Sequence, residues 1–265
     1  MESLAGSVIL TIGTGVCGHE KDQFNHPSGL CILAPSVFSA SSSLSEPLLY
    51  VCDSLNHRIQ VFNAISGEFF CSIGALMPNG MGLIGSEAGQ LNFPIGVCLK
   101  PAVPYKSGIG FSDALVYVAD KNNHRIQVFN AFTGSFVRVI ATGIKGAGPD
   151  QLNCPRRLDI ISVNEKEGLN YLYVADYHNH RIQVFNADTG AHVKVLGNRP
   201  EKTSGCHNVD VTSRQKGDGI GQLNCPSDIV AFADTNGDVL VYVAERNNHR
   251  IQVLSGEVHV GTPAQ

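Results

Sequence analysis

One hexapeptide, Asn-His-Arg-Ile-Gln-Val, occurs four times in this chain, at residues 56–61, 123–128, 179–184 and 248–253. The copies stand 67, 56 and 69 residues apart. Each follows an apolar run that ends in an acid: Tyr50-Val-Cys-Asp53, Tyr117-Val-Ala-Asp120, Tyr173-Val-Ala-Asp176 and Tyr242-Val-Ala-Glu245. Two residues separate the acid from the Asn every time. Upstream stands Gln-Leu-Asn-x-Pro at residues 90–94, 151–155 and 222–226, with Gln-Phe-Asn-His-Pro at 23–27 as its first version. Anchors kept in register at such a period mean one supersecondary unit copied along the chain, each copy stacking on its neighbours.

Each unit reads as four strands. Strand a follows the Pro (29–33, 96–99, 158–161 and 229–232), and strand b is the Tyr-Val-Ala run. Strand c is His-Arg-Ile-Gln-Val-Phe, and strand d is an alternating segment such as 136–140 or 192–196. Asn-Ala-x-x-Gly at 63–67, 130–134 and 186–190 suits a tight reversal between c and d. Hairpin links make antiparallel sheets, and four-stranded antiparallel units repeated around an axis make an all-β propeller. The units run from about 23–74, 90–143, 151–197 and 222–256, in one domain over 1–265. Residues 6–13 align with the d strands at 67–74 and 190–197 but have no a, b or c before them. The expected architecture is therefore four blades, with residues 7–12 pairing beside strand c of the last unit to close the ring. A competing reading keeps residues 257–260 as the last blade's own strand d and makes the four units an arc of a larger ring.

Composition narrows the class further. Charged residues are 16% of the 265, against about 25% in an average soluble chain, and 28 Gly with 12 Pro fit many short strands and turns. A net charge of −4 is incompatible with a bulk phosphate binder but leaves room for a local basic patch. No apolar run reaches the length of a membrane helix, so no membrane partner is expected. Glu2 stands where a secretory signal needs positive charge, and Thr11 breaks the apolar run at 8–12, so no signal peptide is read. No two of the eight Cys are spaced by only two residues, which argues against a zinc ribbon, a RING finger or a thioredoxin motif. Reduced thiols and a cytoplasmic location are the expectation.

Asn-His-Arg-Ile-Gln-Val-Phe after Tyr-Val-Ala-Asp closely resembles the NHL repeat, with Arg in place of Leu in every copy, and the resemblance covers about residues 6–256. NHL propellers usually have six blades, so four units is a departure. The resemblance implies a non-enzymatic, protein-binding scaffold module without a cofactor, in some contexts recognising substrates for RING-type ubiquitin ligases. This chain shows no RING, B-box or coiled coil, so a ligase role requires another subunit or a longer parent. A second implication is single-stranded RNA binding by a basic face. A third is a lyase-like enzyme with an axial metal.

The repeated residues are expected to be scaffold. They are Asp53, Asn56, His57 and Arg58; Asp120, Asn123, His124 and Arg125; Asp176, Asn179, His180 and Arg181; and Glu245, Asn248, His249 and Arg250. Strand c lies about 10 Å beyond strand a, so its four histidines cannot share one ion, and no metal site is expected. Each His or Arg is expected to reach the acid at the end of strand b, because an unpaired buried Arg is costly. Cys154 and Cys225 share a slot with Phe93 and His26, which reads as packing. No catalytic residues are assigned, since no nucleophile elbow or phosphate cradle is present. Binding should use the positions where the copies differ: Lys121, Arg156, Arg157, Tyr177, His178 and Arg246, at the b-to-c tips and the entries to strand a. Two long d-to-a insertions, 76–88 and 198–219, fall on that same face, the second holding Cys206, His207, Asp210 and Asp218. The opposite face carries the Ser-rich stretch 34–47 and the segment 101–113.

Overall fold

The computed structural model describes residues 7–35, 46–102, 112–163, 169–197, 216–234 and 238–256. The Ser-rich stretch 39–45, Cys206, His207, Asp210 and the candidate strand 257–260 lie outside the described residues.

The four units fold as four antiparallel blades. Blade 1 contains β1 (Pro27–Leu33), β2 (Leu48–Asp53), β3 (Arg58–Asn63) and β4 (Phe69–Ile73), paired in that order. Blade 2 contains β5 (Pro94–Lys100), β6 (Leu115–Asp120), β7 (Arg125–Asn130) and β8 (Phe136–Ile140). Blade 3 contains β9 (Pro155–Val163), β10 (Leu169–Asp176), β11 (Arg181–Asn186) and β12 (His192–Leu196). Blade 4 contains β13 (Pro226–Ala233), β14 (Val239–Glu245) and β15 (Arg250–Ser255), three strands among the described residues. The register places each acid opposite the Arg of its own copy, as Asp53 opposite Arg58 and Asp176 opposite Arg181.

The b-to-c link is one tight turn in blades 1–3. A 3-10 turn (Ser54–Asn56, Lys121–Asn123, Tyr177–Asn179) ends at His57, His124 or His180 in the left-handed region, at φ 53°, 54° and 54°. Strand c therefore begins at the Arg, one residue later than the pattern suggests, and the His belongs to the turn. In the c-to-d turn, Asn63 Oδ1 accepts the N–H groups of Ile65 and Ser66, and Gly67 closes the turn at φ 75°. Asn130 and Asn186 repeat the device.

Blades adhere through three interblade cores. Tyr50, Ile59 and Val61 of blade 1 pack on Val97, Val116 and Phe129 of blade 2. Tyr117, Ile126 and Val128 then meet Leu158, Leu172 and Phe185 of blade 3, and Tyr173, Ile182 and Val184 meet Ile229, Val239 and Val241 of blade 4. Each Tyr hydroxyl donates forward, to Ala131 O (2.9 Å), Ala187 O (3.0 Å) and Gly256 O (2.8 Å), so a phenol in an apolar interface keeps its hydrogen bond. At the axis the first strands nearly touch. A Cβ on Gly96 would lie 2.1 Å from Arg156 O, and one on Gly29 2.6 Å from Ile95 O. Only glycine permits so close a backbone approach.

The expected pairing of residues 7–12 with the last blade is not shown. Those residues carry no strand and lie beside blade 1, where Leu10 and Ile12 face Gly67. Among the described residues, β15 is paired only with β14.

Candidate functional site

The repeated residues form a buried polar hub in each blade. The acid's Oδ1 accepts a backbone N–H from the Asn of the upstream Asn-x-Pro: Asn25, Asn92 and Asn153, each at 2.7 Å. Its Oδ2 accepts from three side chains of its own copy. In blade 1 these are Asn56 Nδ2 at 2.9 Å, Arg58 Nε at 2.9 Å and Gln60 Nε2 at 3.1 Å. The guanidinium then donates to carbonyls of the loop before strand a: Glu20 and Gln23 for Arg58, Ser86, Glu87 and Gln90 for Arg125, Ala147, Gly148 and Gln151 for Arg181. Glu245 and Arg250 repeat the pair at 2.7 Å in blade 4. Burial pushes the Asp120 and Asp176 carboxyls up, while their Asn and Arg donors pull the other way. The acid's hydrogen-bonding positions in each hub are thus filled by groups of its own chain.

The histidines do something the sequence reading missed. His57, His124 and His180 do not bond the acid of their own blade. Each turns its Nδ1 to the next blade and accepts the N–H of Phe93 (3.1 Å), Cys154 (3.1 Å) or Cys225 (3.0 Å). That slot takes His, Phe or Cys because its duty is carried by the backbone, at φ 56°, 58°, 54° and 53° for His26, Phe93, Cys154 and Cys225. An Nδ1 that accepts must be unprotonated, and burial holds all three imidazoles below the ordinary histidine value. The unfolded chain takes up these protons near pH 6.5, and the folded chain does so only lower. Stability is thus complete above about pH 6.5 and declines as pH falls through it. We expect the Tm to drop between pH 7.5 and 5.5, and to drop less in His124→Asn, whose amide oxygen accepts without titrating. Equal pH dependence of the two proteins would rule out the interblade role of His124.

The residues where the copies differ gather on the face of the b-to-c turns. Lys121 Nζ lies 4.5 Å from the centre of the Phe93 ring, and the Arg156 guanidinium 4.2 Å from that of Tyr177. His178 meets the Tyr177 ring edge-on at 4.8 Å. Burial first, then the charges of Lys121, Lys145 and Arg156, hold the His178 imidazole low against the pull of Asp176. So Lys121, Arg156, Tyr177 and His178 form one cluster across blades 2 and 3. Arg157 points toward the axis and meets Asp228 at 3.8 Å. Arg246 is exposed on the equivalent turn of blade 4. Tyr177 is buried rather than displayed, and Phe93, Lys145 and Asn153 join the site unforeseen. Two buried atoms there lack partners among the described residues, Arg156 Nε and Asn153 Oδ1. The copies in blades 2 and 4 fill the latter with an Asn amide, from Asn122 and Asn247, where blade 3 has His178. The insertion after β4 packs down on this face, with Gly82 N donating to Asn56 O and Gly80 O accepting from Arg58.

Among the described residues no group of three or more His, Cys, Asp or Glu is placed to hold a metal, and no helix is long and apolar enough to cross a membrane. The family model of the NHL repeat matches residues 107–129 and 169–185. The chain is 38% identical over 88 residues to bovine NHL repeat-containing protein 2, covering 32% of this chain and 10% of that protein. With the human protein of the same name it shares 24% over 201 residues, 71% of this chain and 25% of that one. The chain thus spans between a tenth and a quarter of these relatives' length. Among solved structures, an auxiliary nutrient binding protein from Bacteroides ovatus aligns at a TM-score of 0.48 and 15% identity, over 80% of this chain and 46% of that one.

Proposed function

Because this chain belongs to the NHL-repeat family, we propose that it is a non-enzymatic interaction module whose b-to-c face takes an acidic segment of a protein partner. The observation that carries this is the cationic cluster of Lys121, Lys145 and Arg156 around His178 on a chain of net charge −4. Positive groups held together against the overall charge favour a negative ligand at that spot. Arg157 and Arg246 extend the same face toward the axis and blade 4. A recruiting role in a ubiquitin-ligase assembly would use this surface as well, with the ligase chemistry on another subunit. Single-stranded RNA is the weaker reading. Base stacking needs an open aromatic face, and Tyr177 is buried with Arg156 over it.

Tyr177 is unsuited to a test by truncation because its removal would disturb packing. Lys121 and Arg246 lie outside the hubs, so Lys121→Glu with Arg246→Glu should keep the wild-type Tm. Anisotropy titrations with a labelled Glu/Asp-rich peptide should show salt-sensitive binding that the double variant loses by tenfold or more, as for two lost charge contacts of about 0.7 kcal/mol each. Binding of a single-stranded oligonucleotide in preference to the peptide would replace this reading with the RNA one. Undiminished peptide binding by the variant would move the site to the opposite face.

A further inference from the structure

Blade 4 carries the same interblade face as the other blades, and among the described residues no blade packs against it. Ile59, Ile126 and Ile182 are fully buried, and so are Val61, Val128 and Val184; their counterparts Ile251 and Val253 are 68% and 51% exposed. Tyr242 is 41% exposed where Tyr50, Tyr117 and Tyr173 are fully buried. Val230 and Phe232 on β13 are bare alongside them. At the other end of the arc, Leu30 is 60% exposed, while Val97, Leu158 and Ile229 in the same place are 4–5% exposed. Pro27 is likewise exposed where Pro94, Pro155 and Pro226 are buried. The two ends are the two halves of the contact that the chain makes three times inside itself.

The edges match as well as the faces. Blade 4 lacks a fourth strand among its described residues. Ile12 stands to Gly67 of blade 1 as Ile73 stands to Gly134 and Ile140 to Gly190. Residues 7–12 therefore occupy the place of the outermost strand of a blade before blade 1, and the described residues place no such blade there.

We propose that a second copy of this chain docks head to tail, with blade 4 of one copy on blade 1 of the other. Ile251, Val253, Tyr242 and Phe232 bury against Leu30 and its neighbours, as their counterparts do in the three internal contacts. The Tyr242 hydroxyl donates to Ala64 O of the second copy, and His249 Nδ1 accepts the N–H of its His26, which already has the required left-handed backbone. Residues 7–12 of that copy come alongside β15. The contact is heterologous, so two copies joined at both ends make a closed ring, and eight blades lie within the range of known propellers.

Sedimentation of the full chain over a wide concentration range, with two face variants, tests this. Ile251→Asp and Leu30→Asp each change a residue exposed in the single copy, and circular dichroism should show both folded. Wild type should associate with itself, and each variant alone should sediment as a single copy. An equimolar mixture should associate again, because the intact blade 4 face of Leu30→Asp meets the intact blade 1 face of Ile251→Asp. Tyr242→Phe should weaken association about tenfold, the effect of one buried hydrogen bond. A wild-type single copy at every concentration, association that survives both variants, or a mixture that stays dissociated would each overturn the proposal, the first in favour of closure within one chain.

Discussion

Replacing Arg181 with alanine should lower the free energy of unfolding by about 3–5 kcal/mol, the usual cost of breaking a buried pair from one side. The Arg181 side chain is 2% exposed and Asp176 is fully buried, with Nε 2.7 Å from the carboxylate. Removing the guanidinium leaves that carboxylate with only the amides and a backbone N–H as donors, and it takes one donor each from the Ala147, Gly148 and Gln151 carbonyls. Arg250→Ala should cost clearly less, since its side chain is 30% exposed and solvent screens the charge left behind. Urea denaturation of the two variants reads the difference directly. A wild-type midpoint for Arg181→Ala would mean that the hubs do not support the fold, and equal lowered midpoints that solvent screening does not set the cost.

Gly96→Ala should be the other severe change. Its Cβ would lie 2.1 Å from Arg156 O and 3.0 Å from the carbonyl carbon, and neither is a flexible side-chain end that can swing away. β5 and β9 must separate, which loosens the interblade core of Tyr117, Leu158 and Leu172. We expect a loss at or above the upper end of the ~1–3 kcal/mol typical of overpacking. Gly15→Ala makes the control. Its Cβ meets nothing within 4 Å, so only the cost of the left-handed backbone at φ 73° remains, about 1–2 kcal/mol. Thermal melts that rank the two variants equally would show that backbone strain, and not the approach of the first strands, sets the cost.

The pattern of residues was enough to place the blades and the hubs. Alternating Ile, Val and Phe define the strands, turn residues delimit them, and an acid three residues before Asn-His-Arg faces its Arg across a hairpin. These relations span a few residues within one hairpin, so spacing alone carries them. The histidines were misplaced because their partner is a backbone N–H 30 to 45 residues away in the next blade, at a slot whose side chain varies freely. Nothing in the sequence neighbourhood of Tyr177, one of the expected binding residues, says that Arg156 lies over its ring. Closure escaped for a related reason. Residues 7–12 have the alternation of an outermost strand, and that much is local. Which edge they meet depends on the rotation from each blade to the next, summed over the three interblade cores. That rotation comes from side-chain volumes packed between sheets, a property of pairs of blades that no period within one blade encodes.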